Sequence, residues 1–259
     1  MPVGQNPFLL ISTREDDTAA ADEFRGFLEL SGLDAGRLKV VRLEKGSLPD
    51  GLGSDDASQR AAALEDYAGI MVGGSPFNTS DPRDRKSPVQ LRVEAELGRL
   101  LDVVVELDFP FLGACYGVGT LGTHQGAVLD RTHGEPVGTT EVTLTAAGRR
   151  DPLTAGVPET FTAFVGHKEA VASLPEHAVL LAGSPACPVQ MFKFRENLYA
   201  TQFHPELDAR GLATRIDIYR DAGYFPSSEA DSLTELAYRS DVRWPGLLLR
   251  NFVARYGGA

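Results

Sequence analysis

The stretch FPFLGACYGVGTLG, residues 109–122, decides how the chain is read. From Gly117 it spells G-x-G-x-x-G, the glycine spacing that cradles a dinucleotide pyrophosphate. From Gly113 it spells G-x-C-x-G, a spacing that sets a thiol on a sharp strand-to-helix turn. The dinucleotide reading requires a full helix after the glycines, a second strand, and an acid about 20 residues on. Gly126 and the apolar run AVLD (127–130) arrive too soon for that helix, Asp130 comes too early, and Glu135 falls in a loop. The thiol reading requires small residues on both sides of Cys115, and Gly113 and Gly117 supply them. A helix starting at Tyr116 then points its N-terminus at the sulfur, which favours an anion there. The competing reading, Cys115 as a small buried hydrophobe, is the common fate of a free cysteine.

A second stretch separates these readings. YATQFHPELD (199–208) runs an apolar strand into His204, Pro205 and Glu206, 89 residues after Cys115. Side chains two apart on a strand share a face, so imidazole and carboxylate are expected side by side at the strand end, with proline stopping the ladder. A nucleophile, a base and a carboxylate to orient the base form a triad. A third stretch, IMVGGSP (70–76), ends a strand in Gly73 and Gly74. Their backbone is expected to approach the substrate closely and to share an oxyanion hole with the N–H of Tyr116.

The rest of the chain alternates strand and helix in its first half: FLLI (8–11), a helix to Gly32, RLKVVRLE (37–44), ASQRAAALEDY (57–67), AGIMVGG (68–74), a helix over 88–101, and the 109–115 strand. That order predicts an α/β fold with a mostly parallel central sheet and helices on both faces. Six strand-like runs between 127 and 204 predict antiparallel additions to the same sheet. A helix around 208–222 and the apolar-striped WPGLLLRNFVARY (244–256) predict a helical extension over about 208–259. With no linker or repeat, residues 1–259 read as a single domain.

The composition narrows the function. The 259 residues hold 42% apolar side chains and carry a net charge of −11, from 36 acids and 25 bases, which disfavours binding to nucleic acid. The N-terminus MPVGQNPFLLISTRED lacks a leader pattern, no stretch is apolar enough for a membrane span, and two cysteines make no disulfide framework. A cytoplasmic chain is expected. Cys187 reads as packing, and His124, His133 and His177 sit at turn-like segments without metal-ligand spacing. No metal and no cofactor is expected.

Together, the Gly-Gly loop, PFLGACYG and TQFHPE resemble the class I (triad) glutamine amidotransferases over residues 65–207, and in particular the free-standing, GMP-synthase-like members. The resemblance implies a flavodoxin-like fold, with Cys115 as nucleophile forming a thioester, His204 as base and Glu206 as its orienter. It implies hydrolysis of a glutamine side-chain amide to glutamate and ammonia, either for a synthetase partner in trans or as plain hydrolysis. FVGHKEAV (164–171) resembles the segment where many members read SHGD, which makes His167 a candidate for the substrate pocket alongside its reading as a structural histidine. Many members also carry glutamine where this chain has Gly119. That departure leaves room for a second substrate class, γ-glutamyl amides or peptides, and a third reading keeps the body as a non-enzymatic binding or scaffold module.

Overall fold

The computed structural model describes residues 6–258. The first five residues of the N-terminus and residue 259 of the expected domain lie outside the described residues. Five strands form the parallel half of a nine-stranded sheet: β1 (Phe8–Ser12), β2 (Leu38–Arg42), β3 (Gly69–Val72), β4 (Phe111–Ala114) and, far along the chain, β11 (Leu198–Thr201). Their order in the sheet is β2-β1-β3-β4-β11, the flavodoxin-like order. The antiparallel half continues from β11 through β10 (Met191–Phe194), β9 (Ala178–Gly183), β6 (Glu135–Leu144) and β7 (Thr160–His167). One predicted addition goes elsewhere: β5 (Val128–Asp130) pairs with β8 (Ala170–Ser173) in a separate two-stranded ribbon.

The inner parallel strands are apolar on both faces because both are covered. On β1, Leu9 and Ile11 face one layer while Phe8 and Leu10 face the other. The first layer holds α2 (Ala57–Leu64), α3 (Pro88–Glu106) and α4 (Tyr116–His124), with Leu64, Val93, Leu97, Leu100, Val118 and Leu121 in its core. The second layer holds α1 (Asp17–Ser31) and α7 (Pro245–Tyr256), with Phe27, Leu248, Leu249 and Phe252 inward. Capping sets the helix ends. Asp16 accepts from the Ala19 N–H and Ser87 from the Gln90 N–H, while Gly32 closes α1 at φ 75°.

Two shorter helices finish the chain before α7. These are α5 (Ala209–Ile218), which is shorter than expected, and α6 (Ala230–Arg239), which the sequence reading passed over. They enclose a small separate cluster of Phe164, Leu207, Leu212, Ile216, Phe225 and Ala237.

One contact ties the second layer to the segment after β11. A methyl group at Gly26 on α1 would stand 2.1 Å from the Glu206 carbonyl oxygen, so only glycine permits this approach. Gly26→Ala is expected to destabilise the fold by about 1–3 kcal/mol through overpacking, read as a lower urea midpoint. Gly36→Ala, where nothing lies within 4 Å, should leave the midpoint unchanged.

Candidate active site

Neighbouring parallel strands each deliver one part of the site at their C-terminal ends, where ligands bind in open α/β sheets. Register fixes the parts relative to one another. Ile11 pairs with Val72, Val72 with Gly113, and Ala114 with Thr201. The residues just beyond those pairs are therefore neighbours: the turn after β1 with Arg14, the Gly73–Gly74 loop, Cys115, and the segment 202–206.

Cys115 sits at φ 54° and ψ −87°, one of three non-glycine residues with positive φ among the described residues. Its N–H donates to the Thr201 carbonyl at 2.7 Å, which holds the elbow against β11. The G-x-C-x-G spacing has a plain steric cause, because a Cβ on Gly113 would lie 2.7 Å from the Gly117 Cα. The two flanking glycines are not equivalent. A Cβ on Gly117 would meet nothing closer than 3.6 Å, so the expected clash belongs to Gly113 alone. Cys115 is partly buried, and Tyr116 opens α4 with an N–H that has no intrahelical acceptor. Burial pushes the Cys115 thiol up to about 12, outweighing the pull of Arg14 and Arg215 toward the thiolate. The favour that the helix N-terminus lends an anion is set here against the cost of burial.

His204 and Glu206 meet, but not on a strand. β11 stops at Thr201, and both residues lie in the turn that follows. His204 Nδ1 is 2.8 Å from Glu206 Oε1 and 3.1 Å from Arg215 Nη1. A carboxylate only accepts, so Nδ1 is assigned the proton and donates to Glu206, with Arg215 Nη1 close by but not donating to it, and Nε2 keeps its lone pair as the basic nitrogen. Burial, joined by Arg215 and Arg14, lowers the His204 pKa against the opposing pull of Glu206, which favours a neutral ring at rest. Glu206 stays ionised. Burial pushes its carboxyl up, but His204 and Arg215 together hold it well below the usual carboxylate range.

The Gly-Gly loop does something other than expected. The Gly73 N–H donates to the Ile11 carbonyl and the Gly74 N–H to Glu23 Oε1, each at 3.1 Å, so neither is available as an oxyanion donor in this structure. The glycines instead admit buried charge. A Cβ on Gly73 would lie about 2.5 Å from the Glu23 carboxylate, and one on Gly74 would collide with Arg14 and stand 3.1 Å from the His204 ring.

Two adjoining cavities meet at Cys115 and share Ser75, Gly166 and Tyr224 in their walls. One extends toward His204, Arg14 and Arg215 beneath α5. The other extends toward Phe77, Gly119, His167, Glu169 and Gln202.

Gly119 lines the second cavity, but the direction in which its side chain would point is occupied. A Cβ there would lie 2.3 Å from Thr79 Oγ1 and 3.4 Å from Glu169 Oε1. The Glu169 carboxylate accepts from the Thr79 and Ser80 N–H groups, both at 2.7 Å, and pins that loop against α4. His167 lines the cavity, but its ring is already occupied. Nδ1 is 2.9 Å from the Glu169 carbonyl, and Nε2 is 3.0 Å from Glu135 Oε2, which also accepts from Gln190 at 2.6 Å. Glu135, His167 and Cys187 place one potential metal ligand each within 4.8 Å of one another; each already has a hydrogen-bond partner, Cys187 Sγ donating to the Val189 carbonyl at 3.4 Å.

Sequence reasoning missed Arg14, Glu23, Thr79, Glu169, Gln202 and Arg215. Part of the signal was present. Glu23 stands on the buried stripe of α1 with Ala19, Ala20 and Phe27, and Arg215 on that of α5 with Leu212 and Ile216. A charge inside an apolar stripe has to find a buried partner.

The chain is similar to known proteins in sequence and in fold. The family model described as "Glutamine amidotransferase class-I" matches residues 52–216. A glutamine-hydrolysing GMP synthase subunit of Thermoplasma volcanium is 28% identical over 146 residues, which cover 56% of this chain and 65% of that one. The glutamine-hydrolysing GMP synthase of Acetivibrio thermocellus is 31% identical over 140 residues, 54% of this chain and 24% of that one. The alignments thus span less than two thirds of these two relatives. The fold is shared with a glutamine amidotransferase structure from Thermotoga maritima, at TM-score 0.75 and 20% identity, over 99% of this chain and 100% of that one. It is shared also with a glutamine amido transferase structure from Methylobacillus flagellatus, at TM-score 0.68 and 16% identity, over 99% and 97%. No described helix is long and apolar enough to cross a membrane. This chain belongs to the class I glutamine amidotransferase family.

Proposed function

We propose that the chain hydrolyses the side-chain amide of glutamine to glutamate and ammonia through a Cys115 thioester. One observation carries the reading: Cys115, held at positive φ on its elbow, lines a single cavity with His204, whose Nδ1 is engaged by the Glu206 carboxylate. His204 Nε2 takes the thiol proton as sulfur attacks the amide carbon. The tetrahedral oxyanion gathers at the Tyr116 N–H, where the α4 dipole favours negative charge. The same imidazole then gives its proton to the leaving nitrogen, so ammonia departs and the thioester remains. Water, deprotonated by His204, releases glutamate and returns the proton to sulfur. Relatives that are glutamine-hydrolysing GMP synthase subunits support glutamine as substrate and an ammonia-consuming synthetase as partner in trans. Two free cysteines suit a cytoplasmic chain.

The γ-glutamyl alternative rests on space at Gly119, where Thr79 Oγ1 stands in the path of any added Cβ. Gly119 is instead the condition for closing the Thr79–Ser80 loop over α4, with Glu169 as the latch and His167 as a wall. The non-enzymatic reading leaves the strained elbow and the buried His–Glu pair without a purpose.

Three outcomes check this reading. Cys115→Ala should abolish ammonia release from glutamine in a coupled glutamate dehydrogenase assay; unchanged release would refute the mechanism. Gly119→Gln, the residue that the family resemblance implies there, should depress glutamine turnover because its side chain displaces Thr79. Turnover above wild type would show that the pocket has room to spare. Because the resting thiol is raised and the base neutral, iodoacetamide alkylation of Cys115 should accelerate with pH past the ordinary thiol value of 9.0. A plateau at neutral pH would instead reveal a preformed thiolate.

A further inference from the structure

Behind the triad lies a row of buried charges that the reaction, as described, does not use. Arg215 Nη2 donates to Glu206 Oε1 at 2.9 Å and stands 3.6 Å from Glu23 Oε1. Glu23, fully buried on α1, also accepts from Ser12 Oγ at 2.7 Å, Arg14 Nε at 3.0 Å and the Gly74 N–H at 3.1 Å. We infer that Glu23 and Arg215 are positioning residues of the Cys115–His204–Glu206 site: Arg215 fixes Glu206 against the imidazole, and Glu23 ties Arg215 and Arg14 to the Gly73–Gly74 loop. The inference rests on the triad reading above and extends it to two helices, α1 and α5, outside the segments that carry the triad.

The physical case is one of buried charge. Glu206 alone beside a neutral histidine would be an uncompensated anion in a dry site, and Arg215 neutralises it. Arg215 and Arg14 together would then overload the site with positive charge, and Glu23 balances them. Sharing one carboxylate oxygen between His204 and Arg215 leaves Glu206 a single orientation, which in turn fixes the tautomer of His204. A row that served only to hold the fold together would not need to end on the orienting carboxylate and the loop glycine at once.

Arg215 acts on Cys115 as a positive charge that favours the thiolate, while Glu23 reaches the site through Arg14, Arg215 and the Gly74 N–H, which gives the test. The groups facing the thiol are Arg14 after β1, Glu169 between β7 and β8, Glu206 and His204 after β11, and Arg215 on α5, with Tyr224 across the cavity. In purified full-length protein, Glu23→Gln removes a negative charge and should move the pH midpoint of iodoacetamide alkylation of Cys115 to lower pH. Arg215→Gln removes a positive charge and should move it to higher pH. Both should lower kcat for glutamine by about tenfold or more, about 1.4 kcal/mol in barrier, with KM little changed.

Arg215→Lys keeps the charge but loses the fork. It should hold the wild-type alkylation midpoint while still losing kcat, and it guards against a neutral variant that does not fold. Midpoints that fail to separate in opposite directions in folded protein, or full kcat in the lysine variant, would overturn the inference. The alkylation arm uses no glutamine. It therefore stands apart from the substrate assignment, which Cys115→Ala tests by itself.

Discussion

A buried imidazole–carboxylate pair is the constraint on which this molecule turns. The His204–Glu206 contact lies in an almost dry site, and ionised groups there survive only with partners of opposite sign. Satisfying that condition recruits Arg215 from α5, then Glu23 from α1, then Arg14 from the turn after β1. The chain of compensation dictates side-chain size at three further places. Gly73 and Gly74 are glycines because charged groups pass within contact distance of their α-carbons, and Gly26 is one because the Glu206 backbone does. Packing around the site follows from electrostatics rather than the reverse.

The sheet supplies the other half of the geometry. Parallel pairing of β3, β4 and β11 in fixed register brings the loop, the elbow and the base to one edge without any of them being adjacent in sequence. The Cys115 N–H bond to the Thr201 carbonyl extends this ladder by one residue and links the nucleophile to the strand that leads to the base.

Much of this was legible beforehand, and the limits have physical causes. The βα alternation of the first half and the G-x-C-x-G and H-P-E spacings are local patterns set by sterics and periodicity, and they carried the flavodoxin-like fold and the meeting of His204 with Glu206. What failed depended on contacts between distant segments. Gly119 reads as a vacancy until Thr79 is seen beside it, 40 positions earlier. The N–H groups of Gly73 and Gly74 read as free donors until Ile11 and Glu23 are placed against them. The small ribbon of β5 and β8 resembles any other pair of short apolar runs; only the geometry of the sheet excludes it. Arg215 was within reach, as a cation on the buried stripe of α5, but its partner could not be named from spacing alone.

The position of β11 has a consequence for how the molecule comes into being. It inserts between β4, synthesised much earlier, and β10, its hairpin neighbour, so it closes the parallel half with the last strand of the chain. Before that insertion a growing chain can already hold the Cys115 elbow on β4, yet it holds neither the base nor the Thr201 carbonyl that steadies the elbow. Pairing between such distant segments is slow relative to local structure. The nucleophile is thus synthesised first, and its base and orienting carboxylate join it only with the last strand of the chain.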